Sequence, residues 1–428
     1  MSKLYEFSDS NGNPFTFDGK SFKIFEGIDS DINIPELSLE KAIPCPRTLA
    51  LTITNNCNMG CSYCYAGQGS WDIPGLNMSQ DIAFLAIDLL INSIKKVGGN
   101  FATISFFGGE PLLRLDFISD IVLYAKQKAS SNNINLRFAI VTNGTLLNNA
   151  SINFLIENNF ILSLSIDGPS NLHDFYRKFK NGEGTYKIIQ NNSQVLLGKI
   201  PILVRPTISD HNYNVDEVIQ HLVSIGFKRL TYEVDHNISE IAFEEFLKAS
   251  ERLFLFYLKE IKSGHYFDFR NITRVLASLL IKKRSKSHCN AGVGYLCCSA
   301  DGLIYPCHRF IGNTSLALGG VKWLESSNLL GLVKSFDEKL LNGPCDRSIE
   351  CAKCPFDYIC GGTCLYHSYV SKGVLFSVLN KDCLMKKVIF DQVLRLMVEL
   401  RGKKLHDFVD YLKETWKNEN RFGETFQV

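Results

Sequence analysis

Short apolar runs and longer amphipathic stretches alternate along the chain from about residue 48 to residue 233. The short runs are rich in β-branched residues and predict strands at 50–54, 103–107, 136–141, 161–166, 202–207 and 229–234. The longer stretches have apolar residues at helical spacing and predict helices at 79–96, 115–129, 149–159, 185–198 and 215–226. Strands that alternate with helices pair in parallel through right-handed crossovers. The pattern therefore predicts an open or closed α/β barrel whose reactive face lies at the loops that follow the strands.

The segments that flank this barrel have other patterns. Residues 1–46 contain short β-type runs around the turn signals NGN and DGK, which predict a small N-terminal β appendage. Helical patterns at 241–288 predict a bridge to a cysteine-rich region at 289–385, and residues 386–428 predict one or two closing helices. The barrel itself is then expected at 47–240.

The composition is that of an ordinary globular protein and excludes several kinds of partner. With 428 residues and 45% hydrophobic content, the chain can bury a large core. The 46 basic and 44 acidic residues leave a net charge of +2, so we expect no nucleic-acid partner, because phosphate binding requires a basic surplus. The N-terminus has no apolar signal region, and no stretch approaches about 18 uncharged apolar residues. We therefore expect a cytoplasmic protein without a membrane partner.

The 14 cysteines add specific chemistry to this picture. A large chain without a secretion signal meets a reducing environment, which favours metal-binding or catalytic cysteines over disulfides. One group consists of Cys57, Cys61 and Cys64, and all but one of the others lie between residues 289 and 383. The sequence thus predicts two separate regions of metal or redox chemistry.

The first group has the spacing C-x3-C-x2-C and directly follows the first predicted strand, in the segment CNMGCSYC. Three thiolates on one loop can bind three irons of a cubane cluster and leave the fourth iron without a protein ligand. A small chelating molecule can bind that iron, and a low-potential cluster can pass it an electron. A zinc site without its fourth ligand and a set of unrelated buried cysteines are the alternatives.

This segment resembles the cysteine signature of the radical S-adenosylmethionine (SAM) superfamily. The resemblance implies a catalytic [4Fe–4S] cluster on Cys57, Cys61 and Cys64, with SAM chelated to the open iron. In that family, electron transfer cleaves SAM to methionine and a 5′-deoxyadenosyl radical, which abstracts a hydrogen atom from the substrate. The resemblance also implies that the α/β region is a partial (β/α)6 TIM-type barrel.

Segments at the ends of later strands resemble the SAM-binding motifs of the family. FFGGEP matches the GGE motif, in which Gly108, Gly109 and Glu110 would hold the SAM amino group, and a simple turn is the alternative. In SLSIDGP and LVRPT, Ser165 would contact the SAM ribose or carboxylate and Arg205 would pair with the carboxylate, unless Arg205 forms a structural ion pair. The resemblance also assigns three further residues to the cofactor pocket: Tyr65, Asn143 and Asp167. For Asn143, in TNGT, a turn is the alternative.

The C-terminal cysteines resemble the seven-cysteine SPASM domain, which holds two auxiliary [4Fe–4S] clusters. Carried over to this chain, the distal ligands would be Cys351, Cys354, Cys360 and Cys383, and the proximal ligands Cys289, Cys307 and Cys364. The fourth proximal position is left open between a spare cysteine and a substrate-binding iron, and the spare cysteines nearby are Cys345, Cys297 and Cys298. A pair of zinc ribbons is the alternative for the whole region.

SPASM-type enzymes mostly modify peptides or proteins, so the resemblance implies a peptide substrate. The related anaerobic sulfatase maturases carry an aspartate base where this chain has His308, and tend to carry a polar residue where it has Phe107. FFGGEPLL, CYAGQGS and YPCHRF look more like maturases of ribosomally synthesised peptides, which install thioether or carbon–carbon side-chain crosslinks. We therefore expect a maturase that forms an oxidative crosslink. Formylglycine formation, peptide epimerisation and a non-enzymatic iron–sulfur electron-transfer protein are the alternatives.

Two expectations concern the base and the partners of the reaction. His308 is the candidate catalytic base because an unperturbed imidazole titrates near neutral pH, and a hydrogen bond to a cluster sulfur is its alternative role. The expected partners are a precursor peptide with a leader and a reductant such as flavodoxin or ferredoxin. Maturases often take the leader as an extra strand of a small domain, for which residues 1–46 are short, so the appendage, a separate protein and the barrel are all left open as the recognition element.

Overall fold

The computed structural model of the protein describes residues 3–26, 30–31, 45–69, 71, 73–282, 289–342, 349–375 and 377–417. Cys345, one of the candidate proximal ligands, lies outside these residues. The described residues form a small N-terminal sheet, a large central sheet flanked by helices, and a closing set of C-terminal helices. The segment boundaries expected from the sequence stay predictions.

The N-terminal β-type runs form an antiparallel sheet. Each strand pairs with the next one along the chain, and the strands are β1 (Leu4–Ser8), β2 (Pro14–Asp18), β3 (Lys23–Glu26) and β4 (Ser30–Asp31). Successive side chains of a strand point to opposite faces, and one face of this sheet buries Phe7, Phe15, Phe17 and Ile24. The sheet therefore has an apolar face that packs against the rest of the protein.

The central sheet contains the predicted barrel strands. The remaining strands are β5 (Thr48–Thr54), β6 (Phe101–Gly108), β7 (Asn135–Thr142), β8 (Ile161–Leu164), β9 (Ile202–Val204), β10 (Thr207–Ile208), β11 (Arg229–Leu230), β12 (Glu233–Val234), β13 (Asp268–Phe269), β14 (Tyr295–Cys298), β15 (Leu303–Tyr305) and β16 (Gly319–Gly320). Within the described residues, ten of them form one sheet in the order β13-β11-β9-β8-β7-β6-β5-β14-β15-β16. From β13 to β14 all neighbours pair in parallel, so the predicted α/β partial barrel is confirmed.

Two predicted barrel strands are each split into two pieces. The run at 202–207 forms β9 and β10, because Pro206 has no backbone N–H for the ladder. The run at 229–234 forms β11 and β12, and β12 pairs with β10 outside the main sheet. The second pieces, β10 and β12, therefore form a separate two-stranded parallel sheet.

The sheet does not stop at the barrel. Strand β14 comes from the cysteine-rich region, yet it pairs in parallel with β5, with Cys297 opposite Ala50. Strands β15 and β16 then continue the sheet in antiparallel fashion. The cysteine-rich region and the strand that leads into the first cysteine group are consequently parts of one hydrogen-bonded sheet.

The helices cover the sheet and close the C-terminal end. They are α1 (Gln80–Lys96), α2 (Leu115–Ser131), α3 (Asn149–Glu157), α4 (Ser170–Tyr176), α5 (Tyr186–Gln194), α6 (Val215–Ser224), α7 (Glu240–Lys262), α8 (Arg270–Leu280), α9 (Ser326–Asn342), α10 (Ile349–Lys353), α11 (Asp357–Cys360), α12 (Leu365–Lys372), α13 (Asn380–Glu399) and α14 (Lys403–Lys417). Helix α1 is an example of how the sequence specifies these helices. The Ser79 hydroxyl caps its start by accepting the N–H of Ile82, and Ile87 and Leu90 are buried on one face. Among the described residues, none of these helices combines the length and apolarity needed to cross a lipid bilayer.

Candidate active site

The loop that carries the first cysteine group leaves the end of β5 and is held by the GGE segment. The backbone N–H of Gly109 donates to the carbonyl of Thr54 (2.9 Å), and the N–H of Glu110 donates to that of Asn56 (2.9 Å). These two bonds fix the residues that lead directly into Cys57. The GGE segment thus positions the cysteine loop through its backbone.

The two glycines of this segment are required by the close approach of that loop. Gly108 has a φ of +140°, and a Cβ added to it would overlap the carbonyl oxygen of Thr54. A Cβ on Gly109 would overlap the carbonyl oxygen of Asn56. The sequence predicted a close backbone approach to SAM at these positions, and the structure shows a close approach to the cysteine loop.

The three thiols of the loop lie close enough to influence one another. Burial, followed by the charges of Glu110, Cys61 and Cys64, raises the pKa of Cys57 to about 11, although the backbone N–H of Met59 donates to its sulfur (3.5 Å). Burial also raises the pKa of Cys61. Thiols with raised pKa values become thiolates when metal ions coordinate them, and hydrogen bonds from N–H groups then stabilise the sulfur charge.

This donor set provides the three protein ligands that an iron–sulfur cubane with one open iron requires. Within the described ranges, no three His, Cys, Asp or Glu side chains are grouped so that one metal ion could bind them. The ligands of a cubane bind different irons and therefore stand farther apart than the ligands of one ion. Three thiols on one loop, of which Cys57 accepts a backbone N–H, would each bind one iron of such a cluster.

The Glu110 carboxylate is fully buried and accepts hydrogen bonds from protein groups. Its donors are the N–H of Leu112 (3.0 Å), the hydroxyl of Thr142 (2.8 Å) and the N–H of Asn143 (2.7 Å). Burial raises its pKa to about 7 in spite of these donors. Glu110 therefore ties the end of β6 to the end of β7, and its contact with the SAM amino group stays a prediction.

This raised pKa predicts a pH dependence of stability. The folded protein holds a proton on Glu110 up to about pH 7, whereas the unfolded chain loses it near pH 4.5. The contribution of Glu110 to the free energy of unfolding is therefore greatest below pH 4.5 and falls as the pH rises to about 7. Urea denaturation should show that the stability of the wild type relative to Glu110→Gln falls by roughly 3 kcal/mol across this range. The Glu110→Gln substitution changes the local contacts equally at every pH. A stability difference between the wild type and this variant that does not vary with pH would therefore contradict the raised pKa of Glu110.

Asn143 connects the end of β7 to the first cysteine. Its Nδ2 donates to Oδ1 of Asn58 (2.9 Å) and lies 3.8 Å from the sulfur of Cys57, while its Oδ1 accepts the N–H and the hydroxyl of Thr145. Asn58 in turn donates to the hydroxyl of Thr145 (2.8 Å). The TNGT segment is thus a turn that also holds the cysteine loop, and the contact of Asn143 with the cofactor stays a prediction.

Asp167 belongs to a buried network behind the cysteine loop. Its carboxylate is fully buried and accepts the hydroxyl of Tyr63 and the N–H of Thr207. Arg177, which is only 7% exposed, donates to the same Tyr63 hydroxyl (2.8 Å). Tyr63 lies between Cys61 and Cys64 in the sequence, so this network holds the cysteine loop in place. The cofactor contact expected for Asp167 stays a prediction.

Ser165 and Arg205 lie at the ends of neighbouring barrel strands. Ser165 is half-buried, and its N–H donates to the carbonyl of Thr142 (3.1 Å). The Arg205 guanidinium pairs with Glu233 at 3.2 Å, and the two side chains are 36% and 47% exposed. An ion pair this exposed is weak, so a ligand carboxylate can compete with Glu233 for Arg205.

An aromatic cluster joins the cysteine loop to the C-terminal region. The ring of His308 lies 4.5 Å from the ring centroid of Phe107 and 6.0 Å from that of Tyr65, and its Nδ1 lies 2.8 Å from the hydroxyl of Tyr295. Burial and the charges of Arg309 and Arg205 lower the pKa of His308 to about 3. The near-neutral pKa on which the sequence prediction relied is therefore wrong for the folded protein, and His308 is a neutral ring at physiological pH.

Arg309 is a site residue that the sequence did not single out. Its guanidinium lies over the rings of Tyr65 (5.2 Å) and Tyr366 (5.7 Å) and is 3.0 Å from Nε2 of His367. It therefore bridges the loop of the first cysteine group and the helix that follows Cys364. Arg177 and Tyr63 were missed in the same way, because nothing in the local pattern shows that the two side chains meet in a buried network.

The C-terminal cysteines that the sequence assigned to each cluster lie near one another. The pKa of Cys307 is raised by burial and by Cys289 and Cys364, and the pKa of Cys383 by burial and by Cys360 and Cys351. Several of these sulfurs accept backbone N–H groups two residues further along the chain, and the pairs are Cys289 with Ala291, Cys307 with Arg309, Cys354 with Phe356 and Cys364 with Tyr366. This is the arrangement that a metal-bound thiolate favours.

The described spare cysteines have a different environment. Cys297 and Cys298 are 0% exposed within β14. The Cys298 thiol donates to the carbonyl of Ser299 (3.5 Å), and Cys297 lies 3.6 Å from the hydroxyl of Thr52. Both thiols are therefore enclosed within the sheet, and the identity of the fourth proximal ligand stays open.

Comparisons with known proteins agree with this arrangement. The Radical SAM superfamily profile matches residues 51–222. The cysteine-type anaerobic sulfatase-maturating enzyme of Clostridium novyi is 26% identical over 338 residues, which cover 73% of this chain and 85% of that protein. An uncharacterized protein of Methanocaldococcus jannaschii is 30% identical over 226 residues, covering 50% of this chain and 75% of that protein.

Solved structures share the fold. Native anSMEcpe with bound AdoMet has a TM-score of 0.71 at 21% identity, covering 82% of this chain and 99% of that one. Streptococcus suis SuiB bound to precursor peptide SuiA has a TM-score of 0.53 at 14% identity, covering 89% of this chain and 100% of that one. The chain belongs to the radical SAM superfamily and is a radical SAM enzyme that resembles the peptide maturases. Membership implies a [4Fe–4S] cluster and SAM as cofactors.

Proposed function

We propose that this enzyme abstracts a hydrogen atom from a ribosomally synthesised precursor peptide and installs an oxidative thioether or carbon–carbon crosslink between side chains. The cofactors bound by Cys57, Cys61 and Cys64 would supply the 5′-deoxyadenosyl radical. Gly108, Gly109 and the strand-end residues around them would orient SAM. Two related structures contain bound peptides, Kp18Cys with anSMEcpe and SuiA with SuiB, which supports a peptide substrate for this chain.

One observation favours crosslinking over formylglycine formation. His308 and Phe107 are two positions at which the sequence departs from the motifs of the sulfatase maturases, and their ring centroids lie 4.5 Å apart. The two departures therefore change one surface, beside Tyr65. A neutral imidazole against a phenyl ring is a less polar wall than an aspartate beside a polar residue, and it suits an apolar side chain of the peptide.

Forming a crosslink releases one electron from the peptide radical, and this electron would explain the need for a second set of clusters. One electron enters to cleave SAM, and the peptide loses one hydrogen as an atom to the deoxyadenosyl radical. The second hydrogen leaves as a proton while the substrate radical gives up one electron, so the closing step needs an acceptor. Proximal and distal clusters on the C-terminal cysteines would accept that electron, and a flavodoxin or ferredoxin would supply the first one.

We propose His308 as the group that receives the released proton. Its ring is neutral because its pKa is lowered to about 3, so it has a free electron pair for the proton. It is a weak base in this state, and only a strongly acidic proton, such as that beside a radical centre, would transfer to it. The alternative is that His308 hydrogen-bonds the sulfur of Cys307, which lies 3.8 Å from Nδ1.

A product assay tests this function. Reconstituted enzyme, reductant and SAM should convert a precursor peptide encoded beside the gene into a product lighter by two hydrogen atoms per crosslink, with one 5′-deoxyadenosine formed for each. Iron should amount to about twelve atoms per chain, and to about eight in the control variant with Cys57, Cys61 and Cys64 all replaced by alanine. The variant should form no deoxyadenosine and no product. A peptide that gains a hydrazine-reactive aldehyde would contradict crosslinking.

That last outcome would identify the second candidate, formylglycine formation, which the 26% identity to a sulfatase-maturating enzyme supports. Epimerisation, the third alternative, needs a thiol that donates a hydrogen atom to the substrate. The described spare cysteines Cys45, Cys297 and Cys298 are at most 3% exposed. Epimerisation would also leave the mass of the peptide unchanged, so the same assay distinguishes all three reactions.

A further inference from the structure

The loop between two of the distal cysteines is organised around one buried phenylalanine. Phe356 lies between Cys354 and Cys360 and is 2% exposed. Its N–H donates to the sulfur of Cys354, and its carbonyl accepts the N–H of Cys360 (2.9 Å). The position of Phe356 therefore determines the positions of both cysteines.

The N-terminal sheet covers the ring of this phenylalanine. The Phe356 ring centroid lies 4.7 Å from that of Tyr5 and 6.2 Å from that of Phe17. Tyr5 in β1 and Phe17 in β2 are directly opposite each other in the antiparallel register, so both rings project from one face. The ring of Phe390, in α13, closes the other side at 5.0 Å.

Charged and backbone contacts extend the same interface. Lys3 forms an ion pair with Asp357 (2.9 Å), in which the side chains are only 11% and 14% exposed, and it lies 4.6 Å from the ring of Tyr358. A Cβ added to Gly19, in the turn after β2, would overlap the carbonyl oxygen of Pro355. The sheet is thus fitted to residues 355–358 along both of its first strands.

A further bond attaches the sheet to the helix that carries the fourth distal cysteine. The Tyr5 hydroxyl donates to Asp391 (3.0 Å), which lies in α13 together with Cys383. One residue of β1 therefore contacts both parts of the distal ligand set. The donor set itself fits a cluster, because Cys354 and Cys383 each lie near Cys360.

We propose that the N-terminal sheet is a brace for the distal auxiliary cluster: it holds the Cys354–Cys360 loop against α13 and keeps water and oxygen from that side of the site. This inference rests on the auxiliary clusters of the proposed function. It also gives residues 3–26 a structural role that does not depend on leader recognition, because the apolar face of the sheet packs on the distal cysteine loop.

The test is iron retention in the full-length Tyr5→Ala/Phe17→Ala variant. After anaerobic reconstitution we expect about four irons fewer than in the unmodified protein, and iron loss in air at least tenfold faster, with Mössbauer and EPR spectra showing that the other cubanes are kept. The matched control is Phe7→Ala, which removes a buried ring of the same sheet that contacts the rings of Tyr5 and Phe15. The control should keep its iron.

The other possible outcomes separate the brace from the auxiliary clusters and from the proposed reaction. Unchanged iron content and unchanged loss in air would overturn the brace, and so would equal losses in the Phe7→Ala control, since those would reflect the sheet in general. An unmodified protein with only about four irons would overturn both the brace and the auxiliary clusters. If the iron behaves as expected but no crosslinked peptide forms, the brace stands and the proposed reaction fails.

Discussion

Alanine at position 109 should abolish the catalytic cluster. The added Cβ would overlap the carbonyl oxygen of Asn56, and this oxygen accepts the Glu110 N–H that fixes the residues before Cys57. A clash between backbone and Cβ cannot be relieved by a rotamer change, so the cysteine loop must move. We expect Gly109→Ala to bind about four irons fewer per chain and to cleave SAM at least about 100-fold more slowly.

The control for this variant is Gly331→Ala. Gly331 lies in α9, and a Cβ there would have no atom within 4 Å. The change should leave iron content and SAM cleavage unaltered and stabilise the helix by up to about 1 kcal/mol. Full iron and normal SAM cleavage in Gly109→Ala would show that the loop is not held as the structure indicates.

The second large effect concerns the buried network behind the loop. Arg177→Met keeps much of the side-chain volume but removes the buried cation that donates to the Tyr63 hydroxyl, and through that hydroxyl the cation faces the buried Asp167 carboxylate. Breaking a buried charge pair from one side leaves an uncompensated charge, so urea denaturation should show a loss of about 3–5 kcal/mol in the free energy of unfolding. Arg177 also lowers the pKa of Cys61, so cluster assembly should become slower.

Two further variants isolate the charge effect. Tyr63→Phe removes only the bridging hydroxyl and should cost about 1–2 kcal/mol. The double variant Arg177→Met/Asp167→Leu removes both charges and should recover much of the stability lost in Arg177→Met. If Arg177→Met costs less than about 1 kcal/mol, the network does not stabilise the loop.

The barrel could be predicted because each of its strands and helices is specified by the pattern of its own residues. Runs such as 103–107 and 136–141 have the periodicity of strands, and the helices between them have the periodicity of amphipathic helices, so each element is recognisable from its own residues. The split at Pro206 was also present in the sequence as a residue without an N–H. It was missed because the β-branched Thr207 continues the strand-like run beyond the proline.

The pairing of β14 with β5 could not be predicted in this way. The two strands are far apart in sequence, and nothing in either specifies its neighbour. The same holds for Arg177 and Arg309, whose burial depends on groups from several elements. Motif residues such as Gly109 and Glu110 were found by resemblance, but the local contacts that require them emerge only when β5 and β6 lie side by side.

The continuity of the sheet has a consequence for biosynthesis. On the ribosome, β5 is made early and pairs with β6 on one side soon afterwards, but β14, its partner on the other side in the described residues, begins only at residue 295. An unpaired strand edge is the part of a nascent chain most prone to wrong pairing, and late long-range pairing slows folding. The edge in question adjoins Cys57, so chaperone protection and iron delivery in the cell would have to act on the same short stretch of the growing chain.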